Sequence, residues 1–177
     1  MIKYLLVLLL TLSPVAAIAE NSARSEERAA LFEALKAAES PQVARAATTA
    51  IWELWMTAPD EDAQQLMDFG MARMRVYDNE AALEVFNELI EYAPDFAEAW
   101  NQRAFAKFRM DDFAGSLEDI QEVLEREPNH FGALSGRFRI LMQQGRRELA
   151  VGTLESLVDI YPLTPERALL PRSQRDE

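Results

Sequence analysis

Between residues 63 and 162, small and apolar side chains recur in columns spaced 34 positions apart. Gly70 aligns with Ala104, Ala82 with Ser116 and Ala150, Phe86 with Ile120 and Leu154, and Leu89 with Val123 and Leu157. Each unit closes on a proline, at Pro94, Pro128 and Pro162. Within a unit the apolar positions fall at helical spacing in two runs. This pattern predicts helix pairs over residues 62–76 and 78–93, 95–110 and 111–127, and 129–144 and 146–161. Small residues at the crossing points let two antiparallel helices approach, while Trp100, Phe86 and Ile120 fill the space between neighbouring hairpins. One such hairpin is too thin to bury these groups, so the units must stack, and a fixed period of this size marks a helical repeat array. Phe138 replaces the small residue in the third unit, so its two helices are expected to sit further apart.

Upstream, the pattern degrades without vanishing. Leu31, Leu35 and Ala38 form one stripe, Ser40-Pro41 starts a second helix, and Ile51, Leu54 and Trp55 form its apolar face up to the stop at Pro59. Residues 20–62 therefore read as an irregular hairpin, expected to stack on the first repeat and close the N-terminal end of the array. At the other end, Thr164-Pro165-Glu166 starts a short helix that Pro171 stops. The outer face of the third unit, with Leu154, Leu157 and Val158, is then covered only by Leu163, Ala168, Leu169 and Leu170, or by a partner. The charged tail, residues 172–177, is expected to be disordered.

The three units, AQQLMDFGMARMRVYDNEAALEVFNELIEYAP, AEAWNQRAFAKFRMDDFAGSLEDIQEVLEREP and the one from Phe131 to Pro162, resemble the tetratricopeptide repeat. The resemblance implies an all-α, right-handed solenoid of three repeats, residues 63–96, 97–130 and 131–162, preceded by a degenerate hairpin and followed by residues 163–177. It also implies that first helices line a concave groove and second helices form the outer wall. The groove-facing places carry Met67, Met71, Met74 and Arg75, then Asn101, Phe105, Phe108 and Arg109, then Ser135, Arg139, Met142 and Gln143. Methionine and phenylalanine fit varied apolar side chains, and arginine grips carboxylates, so a peptide carrying acidic and apolar residues is the expected ligand. The family's carboxylate clamp for chaperone C-termini is missing, because Met67, Met71, Gly132 and Gly136 stand at its places.

Charge sharpens this picture. The net charge of −12 disfavours nucleic acid, which needs a basic face. Acidic residues concentrate in the second helices of the repeats, whereas Arg73, Arg75, Arg103, Lys107, Arg109, Arg137 and Arg139 lie in the first. With no cysteine there are no disulfides, thiolate metal sites or thiol nucleophiles. The single histidine, His130, sits at a helix start and reads as structural, and Glu84, Glu88 and Glu91 read as a solvated face. Trp52 and Trp55 read as core. No phosphate loop, nucleophile elbow or zinc spacing appears, so neither catalysis, a cofactor nor a metal is expected.

The first 19 residues read as a secretory signal: Lys3, an apolar run over residues 4–12, Pro14, and the small-x-small site Ala17-Ile18-Ala19. That run is too short to span a bilayer. The sequence thus reads as an exported, non-catalytic periplasmic module that binds a protein or peptide in its groove. Two other readings remain at this stage: a subunit docking through its solenoid end, and a binder of anionic cell-wall material.

Overall fold

The structure is a computed structural model of the 177-residue chain, and it describes the backbone of residues 14–172 and side chains from residue 23. The apolar run at residues 4–12 and the end of the tail, residues 173–177, lie outside the described residues. Among the described residues eight α-helices follow one another: α1 (Pro14–Lys36), α2 (Pro41–Met56), α3 (Glu61–Arg75), α4 (Asn79–Tyr92), α5 (Ala97–Arg109), α6 (Phe113–Arg126), α7 (Phe131–Gln143) and α8 (Arg147–Ile160). A 3-10 turn over Pro165–Leu169 ends the fold, and among the described residues there is no strand.

Side-chain caps set the helix starts. Ser40, Asp60, Asp78 and Asp112 each accept the backbone N–H three residues ahead, and His130 does the same with a ring nitrogen. Inside each hairpin the chain reverses at one left-handed residue: Tyr77 (φ 63°), Asp111 (φ 60°) and Gly145 (φ 72°). These three share one repeat column, and only in the third unit is it filled by the residue that adopts this conformation without a Cβ clash.

The repeat columns pack as their chemistry requires. Gly70 lies so close to the ring of Phe86 that a Cβ there would collide with it. In the next unit the Ser116 hydroxyl donates to the Ala104 carbonyl oxygen at 2.8 Å, which satisfies a buried polar group at the crossing. The buried Asp119 carboxylate receives Arg103 through two bonds of 2.9 and 2.7 Å and Lys107 at 2.9 Å. Arg103 also donates to Asn87 of the first repeat at 2.9 Å, joining neighbouring hairpins.

The N-terminal hairpin does not stack on the first repeat. Leu35, Ala44, Ala47, Ile51 and Trp55 are buried in one cluster with Phe131, Leu134, Phe138, Leu141, Ala150, Leu154 and Leu157 of the third repeat. Arg28 of α1 pairs with the buried carboxylate of Glu127 at 2.6 Å. The physical reason is apolar supply and demand. Among the described residues no full helix follows α8, and of residues 163–170 Leu170 alone is in the cluster, so the outer face of the third repeat takes its cover elsewhere. The stripe of α1 and α2 supplies it, and Phe138 is absorbed there. At its far end, α2 leaves Met56 and Ala58 in the cluster of α3 and α4, so α2 spans from the third repeat to the first and touches α5 between them. The α3 face that a preceding hairpin would cover leaves Phe69 49% exposed.

Candidate binding groove

Helices α3, α5, α6 and α7, with α2, line a half-open cavity of about 370 Å³. Asn101, Phe105 and Phe108 of α5 form one wall, Gly132, Ser135, Gly136 and Arg139 of α7 the other, and Met71 of α3 and Trp52 of α2 the ends. Ala104, Ser116, Ile120 and Ile140 lie at its base. The α7 wall is hollow because two glycines stand one turn apart. A Cβ at Gly132 would come within 2.7 Å of Trp52 Cη2, so the bare backbone is the seat of that ring. At Gly136 a Cβ would meet only Ile120 Cδ1, at 3.4 Å.

Of the residues expected at the groove, Met71, Asn101, Phe105, Phe108, Ser135 and Arg139 line this cavity. Met67 and Met74 are buried in the α3–α4 core, because α4 packs over that side of α3. Arg109 is no surface cation: its Nη1 donates to the Met74 carbonyl oxygen at 2.8 Å, and its guanidinium lies over the rings of Tyr77 (4.3 Å) and Phe105 (5.9 Å). It ties the second repeat to the first. Arg75 and Met142 are exposed but outside the cavity. Of the cationic row of the first helices, Arg103 and Lys107 are committed inside the array against Asp119, and Arg73 pairs with Asp78 at the surface.

The sequence reading assigned Trp52 to the core and missed it as a wall of the site. The signal was present in Gly132 and Gly136, two residues without side chains on one helical face, together with an unmatched tryptophan pair upstream.

Beneath the cavity lies a buried polar cluster. His130 and Glu98 are almost fully buried, and His130 Nε2 is 3.0 Å from Glu98 Oε2. Because Nδ1 accepts the Ala133 N–H at 3.0 Å, the ring proton is on Nε2 and is donated to the carboxylate. Asn101 and Gln102, both lining the cavity, donate to the other Glu98 oxygen. Trp55 stacks on the imidazole at 3.9 Å with an interplanar angle of 13°, and Trp52 meets it edge-on at 5.5 Å. One histidine therefore joins α5, α7 and the N-terminal hairpin. Catalysis needs a group that reaches substrate, and this one faces the interior. Among the described residues no three His, Asp or Glu side chains converge as a metal site.

At the polar rim, Glu166 of the 3-10 turn accepts hydrogen bonds from Ser135 (2.9 Å), Arg139 (3.2 Å) and Thr164 (2.6 Å). Burial works to raise its pKa, but the hydrogen bonds from Thr164, Ser135, its own backbone and Arg139 outweigh burial and hold it below the usual carboxylate value. What it adds to the docking of the C-terminal segment is present above the unfolded carboxylate pKa and is lost as pH falls through the lowered folded one.

Stacked antiparallel hairpins around an inner face define a helical repeat protein. No protein-family model matches the chain. A TPR repeat-containing protein of Rhizobium etli is 37% identical over 132 residues, covering 75% of this chain. The chain spans 65% of that relative's length. Among solved structures, the TPR2AB domain of yeast Sti1, in its pHSP90 complex, aligns with a TM-score of 0.54 at 19% identity, over 80% of this chain and 57% of that one. MamA aligns with a TM-score of 0.54 at 14% identity, over 85% of this chain and 95% of that one. The chain belongs to the tetratricopeptide-repeat family.

Proposed function

We propose that the protein is a non-catalytic interaction module that binds a segment of a partner protein, inserting an apolar side chain into the α5–α7 cavity. The observation that carries this reading is Phe105, 51% exposed at the mouth of an apolar cavity of about 370 Å³. Exposed aromatic surface beside a preformed hollow is the usual mark of a recognition site. Arg139 at the rim favours a partner with an acidic residue near the apolar one. Docking through the C-terminal solenoid end is the weaker reading, because the N-terminal hairpin already occupies that face.

The test is photo-crosslinking in the native host. A benzophenone side chain placed at Phe105 is expected to trap a partner, whereas one at Glu84 on the outer helix α4 is not. Gly136→Leu fills the cavity and is expected to reduce that adduct about tenfold or more, since losing a buried anchor costs at least ~1.4 kcal/mol. The fold is expected to tolerate the change, because leucine is a better helix former than glycine and a Cβ at this position meets only Ile120, at 3.4 Å. Equal adducts from both positions would move the site off the groove.

We further propose export to the periplasm, supported by the charged start, the apolar run and the site at Ala19. Cleavage there shortens α1, which begins at Pro14, but leaves Arg28, Leu31 and Leu35, which make its contacts. Sequencing of the chain recovered from the periplasmic fraction is expected to begin at Glu20. An intact Met1 would refute export by cleavage.

A further inference from the structure

Among the described residues Arg139 is the one charged side chain lining the cavity, and it is already holding a carboxylate. That carboxylate, Glu166, comes from a segment outside the repeats and sits on Ser135 and Arg139, both of which face the cavity. We propose that Glu166 is a tethered stand-in for the partner's acidic side chain: the partner seats an apolar residue in the cavity and an Asp or Glu carboxylate on Ser135 and Arg139, displacing Glu166. This rests on the groove reading and specifies the chemistry of its ligand.

Three observations support displacement. The other inner-face cations near the site are committed elsewhere, Arg103 and Lys107 to Asp119 and Arg109 to a backbone carbonyl, so Arg139 is the group left to select an anion. Its side chain is 64% exposed, so the guanidinium stays open to a second carboxylate even though the Glu166 side chain is only 16% exposed. Glu166 sits in a five-residue 3-10 turn whose Leu169 is 63% exposed, while the buried Thr164 and Leu170 anchor the two ends of the segment, so displacement need move only the Glu166 side chain. The donors at the site nevertheless suit an ionised carboxylate, as the lowered pKa of Glu166 shows. Commitment to a side-chain carboxylate follows from the group already there, which belongs to an internal residue rather than a chain end.

A tethered competitor lowers apparent affinity by the fraction of time it occupies the site, so removing its charge should release affinity for acidic ligands alone. The probes are dipeptides blocked at both ends, acetyl-4-fluorophenylalanyl-glutamic acid amide and its glutamine counterpart, titrated by fluorine NMR against the full chain. Glu166→Gln is expected to tighten the glutamate probe roughly three- to tenfold over wild type and to leave the glutamine probe unchanged. Thr164→Val frees the carboxylate without touching Ser135 or Arg139 and should act in the same direction. Adding Arg139→Gln to Glu166→Gln should abolish the gain. No gain, or an equal gain for both probes, would overturn the stand-in. A third probe, the glutamine dipeptide with a free C-terminal carboxylate, would overturn the side-chain assignment if it bound better than the glutamate amide. The groove reading fails separately: Gly136→Leu would then leave every probe's binding unchanged. If no probe binds Glu166→Gln while the crosslink from Phe105 persists, the carboxylate subsite is rejected and the groove stands.

Discussion

Trp55→Ala lowers the stability of the folded chain by about 3–5 kcal/mol, the usual cost of removing a large buried aromatic. In a chain of this size such a loss moves Tm down by roughly 10 °C. Trp55 is 7% exposed, stacks on His130 at 3.9 Å, packs against Phe131 and Phe32, and sits in the cluster that joins α1 and α2 to the third repeat. Where the protection is lost matters more than how much. Hydrogen exchange should show α1, α2, α7 and α8 opening together, while α3 and α4, whose core is a different cluster, keep most of theirs. Loss of protection centred on α3 and α4 would mean that the hairpin stacks on the first repeat, as the repeat order alone suggests. Thermal melting followed by circular dichroism gives the magnitude, and exchange gives the location.

His130→Ala is expected to cost a similar amount, about 3–5 kcal/mol, through a different mechanism. Glu98 is 2% exposed, and without the imidazole its carboxylate keeps only the amides of Asn101 and Gln102. A buried carboxylate oxygen that loses its donor is left unsatisfied, which costs more than losing a neutral hydrogen bond. The substitution also removes the cap of α7, because Ala133 N–H loses its acceptor. A partial rescue separates the two effects. Glu98→Gln added to His130→Ala removes the stranded charge, so the double variant should be more stable than His130→Ala alone, while the cap remains missing. His130→Asn keeps a capping side chain and should cost less than His130→Ala. Chemical denaturation of the four chains measures each value, and a double variant less stable than His130→Ala would show that the pair is not the origin of the effect.

These results would bear on the groove as well as on stability. Asn101 and Gln102 line the cavity and are held by Glu98, while Trp52 forms one end of the same cavity and rests on His130. A chain with a loosened His130 cluster should therefore bind its partner more weakly even where the residues at the mouth are intact. Reading such a loss as a direct contact would be a mistake.

What the sequence determined by itself was the array. Columns spaced 34 residues apart place Gly70 under Phe86 and Ala104 against Ser116, and those contacts lie within one hairpin, where local spacing dictates who meets whom. The repeat helices start within two residues of the expected positions, where Asp60, Asp78 and Asp112 cap by bonds only three residues long, a signal the sequence carries locally. The site was legible in part. Phe105, Phe108, Met71, Asn101 and Arg139 follow from repeat position, but the same rule also pointed to Met67, Met74 and Arg109, which helix packing and an inter-repeat hydrogen bond take out of the groove. Only the tertiary structure decided where the non-repeating ends go. The hairpin of α1 and α2 has no column to follow, so its place is set by which apolar face most needs cover, and that face belongs to α7 and α8 at the far end of the chain. The same long-range closure brings Trp52 to Gly132 and Glu166 to Arg139, pairs that no period relates, and so turns an open groove into a walled cavity with a carboxylate already at its rim.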